Sequence, residues 1–121
     1  MWTWNDATRS LQRREPWQMA GLPKLDPVFH QPTRTRLAVV LSIEAHSFSQ
    51  LKSALEIADG NLDAHLRKLS ATGYLHSRMV LEARPHTIYQ LSSSGSKAFK
   101  KYTKTLQLLI DRTRDPQKQP G

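Results

Sequence analysis

The spacing of apolar positions changes several times along the chain, and each change predicts an element. From Thr33 to about Ala45, Leu37, Val40, Leu41 and Glu44 share a helical face, with Ala38 and Ile43 at its edges. Pro32 suits the first helical position, where the N–H it lacks would be unpaired in any case. His46-Ser47-Phe48 breaks the period and predicts one short extended segment. Ser49 reads as the N-cap of a short helix ending at Leu55, with Leu51 and Leu55 facing inward. Ile57-Ala58-Asp59-Gly60 predicts a turn, with Asp59 capping a third helix over Gly60 to Thr72. Its Leu62, Leu66 and Leu69 form one narrow stripe. Gly73 is placed to end that helix in the left-handed conformation.

The period then shortens. Leu75, Ser77, Met79 and Leu81 alternate with His76, Arg78 and Val80, Glu82 to His86 make a polar loop, and Thr87 to Leu91 return. That pattern predicts a β-hairpin. Ser92 to Gly95 punctuate and cap, and a last helix is predicted from Ser96 to about Arg112. Along it Phe99, Tyr102, Leu106 and Leu109 step by three, four and three residues, a heptad-like seam. Residues 1–31 carry Pro16, Pro23 and Pro27, little periodicity and all three tryptophans. They read as an N-terminal arm, with a short helix from about Asp6 to Arg14. The expected organisation is an arm over 1–31, a compact domain over 32–95, a C-terminal helix over 96–113 and a flexible tail over 114–121. The fold class is mainly α with a small β-hairpin, an α+β arrangement.

Composition narrows the function. The 121 residues hold 18 Lys and Arg against 10 Asp and Glu, a formal charge of +8. A small basic chain points to a polyanion, most often nucleic acid or a membrane surface. The longest aliphatic run, Leu37 to Leu41, is far too short to span a bilayer, and the N-terminus lacks the pattern of a secretory signal. No membrane partner is expected, and the cytoplasm is the expected compartment. With no cysteine, disulfides, thiolate metal sites and cysteine nucleophiles are excluded. His30, His46, His65, His76 and His86 are scattered, without paired metal-ligand spacing. Gly60, Gly73 and Gly95 are isolated, so no phosphate-cradling loop is present. No catalytic residues, cofactor or metal are expected, and the chain does not read as an enzyme.

Element order carries more than charge. Two helices joined by a tight turn and followed by a hairpin are a helix-turn-helix with a wing. Such a helix fits the major groove of double-stranded DNA, where exposed side chains reach base edges. With Leu62, Leu66 and Leu69 inward, Gly60, Ala64, Arg67 and Ala71 point outward, and Asn61 and Lys68 flank one side. Small residues at 60 and 64 let the backbone approach DNA. Asn61 suits adenine, and Arg67 or Lys68 suits guanine or phosphate. His65 sits nearer the core edge and is counted with the expected DNA contacts, and Asp63 on the other flank would repel phosphate unless it accepts from cytosine or caps a side chain. Taken singly, a charged residue on a helix is usually solvated surface. The joint placement of Arg67 and Lys68 on the second helix of such a unit favours DNA. Arg84 beside Pro85 puts a cation on a stiff wing tip, with His86 as a further donor, and Ser49 and Lys52 are placed for phosphate at a helix start. Arg34 and Arg36 are weaker candidates.

These blocks also carry a resemblance. Leu25-Asp26-Pro27-Val28-Phe29-His30 with Arg34-Thr35-Arg36-Leu37 resembles the opening of a compact group of winged-helix transcriptional regulators, small relatives of the MarR and ArsR types. Ala58-Asp59-Gly60-Asn61-Leu62, His65-Leu66-Arg67-Lys68-Leu69 and Gly73-Tyr74-Leu75 are similar to their recognition helix and the start of the wing. Thr87 to Gly95 resembles the return strand and the turn into the final helix. The resemblance covers about Leu25 to Ile110. It implies a homodimer on a pseudo-palindromic DNA site, with residues 61, 64, 67 and 68 facing DNA. Many relatives carry more basic residues in the wing, where this chain has Arg78 and Arg84. The tryptophan-bearing arm lies outside the shared region.

A seam such as Phe99, Tyr102, Leu106 and Leu109 is more often intramolecular core. Here it ends a chain whose core three helices and a hairpin already close, so it is expected to pair with a second copy, with Trp2, Trp4 and Trp17 packing beside it, because exposed indoles are costly. The functional expectation is a dimeric, sequence-specific regulator, a repressor by default. Its alternatives are a winged-helix module for protein contact and a non-specific architectural nucleic-acid binder. A small-molecule effector between the arm and the last helix stays open.

Overall fold

The computed structural model describes residues 23–114. Seven elements follow one another: α1 (Pro32–Ile43), β1 (His46–Ser47), α2 (Phe48–Leu55), α3 (Asp59–Ala71), β2 (Leu75–Val80), β3 (His86–Leu91) and α4 (Ser93–Arg114). The strands form an antiparallel sheet in the order β1-β3-β2. β2 and β3 pair from Leu75↔Leu91 to Val80↔His86, and β1 adds His46↔Tyr89 and Ser47↔Ile88. The expected extended segment at 46–48 is thus a third strand, and Phe48 opens the next helix instead.

Leu37, Leu41, Leu51, Leu55, Leu62, Leu66 and Leu69 from the first three helices meet in one core with Leu91, Phe99 and Tyr102. Phe29 closes this core from the N-terminal side and is fully buried. Its ring stacks on Tyr74 at 5.2 Å and meets Phe99 at 5.0 Å and Tyr102 at 5.8 Å. Asp26 sets the turn that delivers it. One carboxylate oxygen accepts from the Val28 N–H at 3.0 Å, and the other accepts from the Tyr74 hydroxyl at 2.7 Å. Leu25 and Val28 also pack on the core. The stretch assigned to an arm through residue 31 is therefore part of the packed structure from Leu25 onward. The physical reason is Phe29, whose burial in an aromatic cluster needs the whole turn around it.

Other local expectations are corrected. Ser47, rather than Ser49, caps α2, and it does so reciprocally: its hydroxyl accepts from Gln50 N, and the Gln50 side chain accepts from Ser47 N. Asp59 lies inside the first turn of α3, whose N-cap is Ala58, without a side-chain cap. Ile43 is 76% exposed, so the buried face of α1 runs through Leu37, Ala38 and Leu41. Met79 and Leu81, at the far end of the hairpin, are exposed as well. Gly73 takes the expected positive φ, 86°. Gly95, however, does not interrupt α4. It lies buried in its first turn, where an added Cβ would stand 2.2 Å from the Tyr74 carbonyl oxygen. Ser92 organises this junction: its N–H donates to Tyr74 O, its hydroxyl donates to Gly73 O, and the hydroxyl oxygen accepts from Gly95 N.

Candidate nucleic-acid interface

The stripe of Leu62, Leu66 and Leu69 is buried, so the geometry of a helix turns Gly60, Asn61, Ala64, Arg67, Lys68 and Ala71 to the exposed side. Nothing within 4 Å would meet a Cβ at Gly60, so the open face begins at the first turn. Arg67 and Asp63 form an ion pair, Nε to Oδ2, at 2.9 Å. The carboxylate that looked unfavourable beside DNA is thus engaged by a neighbouring guanidinium.

The start of α2 is joined to this face. Lys52 Nζ lies 2.8 Å from Asp59 Oδ1, in the first turn of α3. Asp59 is favourably placed there, because a carboxylate complements the positive end of a helix dipole. Lys52 therefore already has an anionic partner, and a phosphate would compete for it. Ser49 is exposed one turn earlier. It lines a cleft of about 370 Å³ together with Ser47, Phe48, Arg84, His86 and Tyr89. The wing and the N-terminal turn of α2 thus share one concave surface. His86 is the first residue of β3, and its Nδ1–H donates to the Arg84 carbonyl at 2.8 Å, which ties the turn that carries Arg84.

His65 is half-buried on the flank of α3, on the side of Asn61 and Lys68. Its Nδ1 lies 3.2 Å from Arg34 Nη1 of α1. Burial, and then the charge of Arg34, hold the ring's pKa below the ordinary imidazole value. Arg34 is half-buried, and its Nε donates to the Val28 carbonyl at 2.6 Å. Two of its guanidinium nitrogens are thus engaged within the chain, whereas Arg36 is exposed.

The structure brings together most of the predicted contact residues. Ser49, Arg84 and His86 share the cleft, and Lys52 leads from α2 to the face of Gly60, Asn61, Ala64, Arg67 and Lys68. Sequence reasoning missed Ser47 as the cap that sets the start of α2, although its Ser-x-x-Gln spacing is a readable capping-box signal. It also missed the link from Arg34 to His65, which no local signal announces.

The expected pairing seam divides in two. Phe99 and Tyr102 lie in the chain's own core, and the Tyr102 hydroxyl meets His30 Nδ1 at 3.1 Å. These two positions are corrected from a free seam to core, because Phe29 covers them. Leu106 and Leu109 stay half-buried, while Leu108 and Ile110 nearby are 58% and 42% exposed. Trp2, Trp4 and Trp17, like the predicted helix at 6–14 and the residues after 114, lie outside the described residues. Among the described residues, no helix is long and apolar enough to cross a membrane.

Comparison with known proteins agrees with the fold. The profile of the winged helix DNA-binding domain family matches residues 35–110. An uncharacterized protein of Methanocaldococcus jannaschii is 35% identical over 77 residues, covering 62% of this chain and 84% of that one. Among solved structures, a transcriptional regulator homologue from Pyrococcus horikoshii superposes with a TM-score of 0.69 at 27% identity, covering 74% of this chain and 90% of that one. A protein assigned to the MarR family of transcriptional regulators, from Enterococcus faecalis, gives 0.67 at 18% identity, with coverages of 74% and 83%. At that identity the second likeness concerns the fold.

Proposed function

The chain belongs to the winged helix DNA-binding domain family, and we propose that it is a dimeric, sequence-specific regulator of transcription acting as a repressor. The observation that carries this reading is the continuity of the surface. The exposed face of α3 runs through the Lys52–Asp59 pair to the start of α2, and from there through the shared cleft to Arg84 and His86 of the wing. In this reading α3 enters the major groove of double-stranded DNA. Asn61, Arg67 and Lys68 reach base edges or phosphates there, and Gly60 and Ala64 admit close approach. Arg84 contacts backbone or minor groove. The Pyrococcus horikoshii likeness supports a regulatory role.

A second copy would pair through the C-terminal half of α4, where Leu106, Leu108, Leu109 and Ile110 lie outside the main cluster or at its margin. Two copies then present two α3 helices to successive turns of one site. A small-molecule effector would find room in a cleft of about 410 Å³ between Lys24–Asp26 and α4, next to Tyr74 and Lys101. Such a regulator works in the cytoplasm.

Selection of bound fragments from genomic DNA at physiological salt tests the proposal. The expected result is an enriched motif with two half-sites, bound about 10³-fold or more above random duplex. For ~6–10 phosphate contacts, affinity should fall by roughly 10³–10⁵ between about 50 and 200 mM salt. Tight binding without a motif indicates an architectural binder. Weak duplex binding beside a tight protein partner indicates a protein-contact module. Either outcome overturns the regulator.

A further inference from the structure

Arg34 is held at three points. Its backbone N–H donates to the Gln31 side chain at 2.7 Å, its Nε donates to the Val28 carbonyl at 2.6 Å, and Nη1 reaches His65 Nδ1 at 3.2 Å. A guanidinium has donors and no acceptor. The ring nitrogen facing it must therefore accept, so it carries no proton. A neutral imidazole has one N–H, which then sits on Nε2, across the ring from Arg34. A doubly protonated ring would set a donor against a donor and a cation against a cation.

We propose that Arg34 is a positioning residue for DNA: it holds His65 as the neutral Nε2–H tautomer, whose N–H donates to a backbone phosphate beside α3. This rests on the DNA-binding reading above. The ring is half-exposed and shares its flank with Asn61 four residues before and Lys68 three residues after. Arg34 of α1 occupies the Nδ1 edge of the ring, which leaves Nε2 as the edge available to a phosphate on this flank. Such a contact gains from a fixed proton position, because a ring free to change tautomer presents an acceptor part of the time.

The charges around the ring are few. From α1 it faces Arg34, whose charge acts on it. Of the elements packed on α3, α2 carries Lys52, paired with Asp59, and Glu56, and β2 carries the exposed His76 and Arg78. On α3 itself the Asp63–Arg67 pair occupies the opposite flank, and Lys68 lies three residues on. The contact therefore stays neutral around pH 7 and adds little to the salt dependence of binding.

Nitrogen-15 shifts of the His65 ring in the full free chain read the tautomer without DNA. The expected result is a bare Nδ1, a protonated Nε2 and a titration below the ordinary imidazole range. A proton on Nδ1, or a titration at or above that range, overturns the proposal. Against a selected duplex, His65→Ala should bind about tenfold more weakly, as for a lost hydrogen bond to a charged group, and His65→Gln should restore most of the loss. Arg34→Gln should free the ring to take up a proton. Its nitrogen-15 shifts should show Nδ1 protonated in part of the population, with the titration moved toward the ordinary imidazole value and burial still holding it below; a ring that keeps a bare Nδ1 without Arg34 overturns the positioning role. Should Arg34→Gln fail to fold, the wild-type tautomer and the two His65 variants decide. A His65→Ala chain that binds like wild type overturns the contact. A chain with the expected tautomer that binds no duplex overturns the DNA reading and the contact with it, leaving only the Arg34–His65 arrangement. The wrong tautomer in a chain that binds duplex overturns this inference alone.

Discussion

Arg67 and Asp63 form an ion pair one helical turn apart on α3, with the Arg67 side chain 81% exposed. An exposed pair of this spacing adds only ~0.3–0.5 kcal/mol to stability. Its importance lies in where it leaves the guanidinium. Arg67→Ala should cost about 1–3 kcal/mol of DNA affinity and relax preference at one base position if Arg67 reads a base. Asp63→Asn should strengthen binding to random duplex and lower the ratio of selected to random affinity, with thermal unfolding almost unchanged. Fluorescence anisotropy with selected and scrambled duplexes measures both. A uniform loss on Arg67→Ala would make it a phosphate contact instead.

Gly95 and Glu56 predict opposite signs of stability change. Gly95→Ala drives a methyl into the Tyr74 carbonyl, where backbone must give way. A loss of at least about 1–3 kcal/mol is expected in urea denaturation. Glu56 ends α2 in the left-handed region at φ 53°, a conformation that costs a side-chain-bearing residue about 1 kcal/mol. Glu56→Gly should relieve most of that and raise the urea midpoint.

Phe29 lies before the first helix yet at the centre of the aromatic cluster. Phe29→Ala should destabilise the fold by about 3–5 kcal/mol. If residues up to 31 formed a detached arm, the urea midpoint would not move.

Among the described residues, the shifted His65 and Tyr74 make stability depend on pH, with opposite signs. His65 titrates lower in the folded chain than in the unfolded one, through burial and Arg34. Below about pH 6.5 the unfolded chain therefore binds more protons, and stability falls as pH falls through the folded pKa. The Tyr74 hydroxyl is pushed above its ordinary range by donating to Asp26, then by burial and the Asp26 charge. Its contribution is present at neutral pH and lost as pH rises through the folded value, above about 10. Melting curves across pH should show both limbs. His65→Gln should flatten the acid limb, and Tyr74→Phe the alkaline one.

Pairing through α4 predicts a defined assembly defect. Leu109→Glu should shift the chain toward monomer in sedimentation at low concentration. Leu109 lies at the margin of the core, so the circular-dichroism spectrum should be retained. Unchanged sedimentation would remove the C-terminal half of α4 from the interface.

The recognition face was readable because it needs only the phase of one helix. Leu62, Leu66 and Leu69 set that phase, and the positions of Asn61, Ala64, Arg67 and Lys68 follow from 100° per residue. The wing was readable from period-two alternation and its polar loop. Boundaries were less legible, since neighbouring serines compete as caps. Ser47 prevails over Ser49 because Phe48 packs against the core and Gln50 closes the reciprocal cap.

Helix phase, hairpin and the left-handed Gly73 depend on neighbours a few residues away, so the order of residues suffices to specify them. The placement of Phe29, the closeness of Tyr74 to Gly95, and the reach of Arg34 to His65 join positions 21 to 45 or more residues apart. These contacts arise when the packed core brings distant segments together, and no local period encodes them. The same packing took Phe99 and Tyr102 into the core and left the C-terminal half of α4 as the surface where a second copy is proposed to bind.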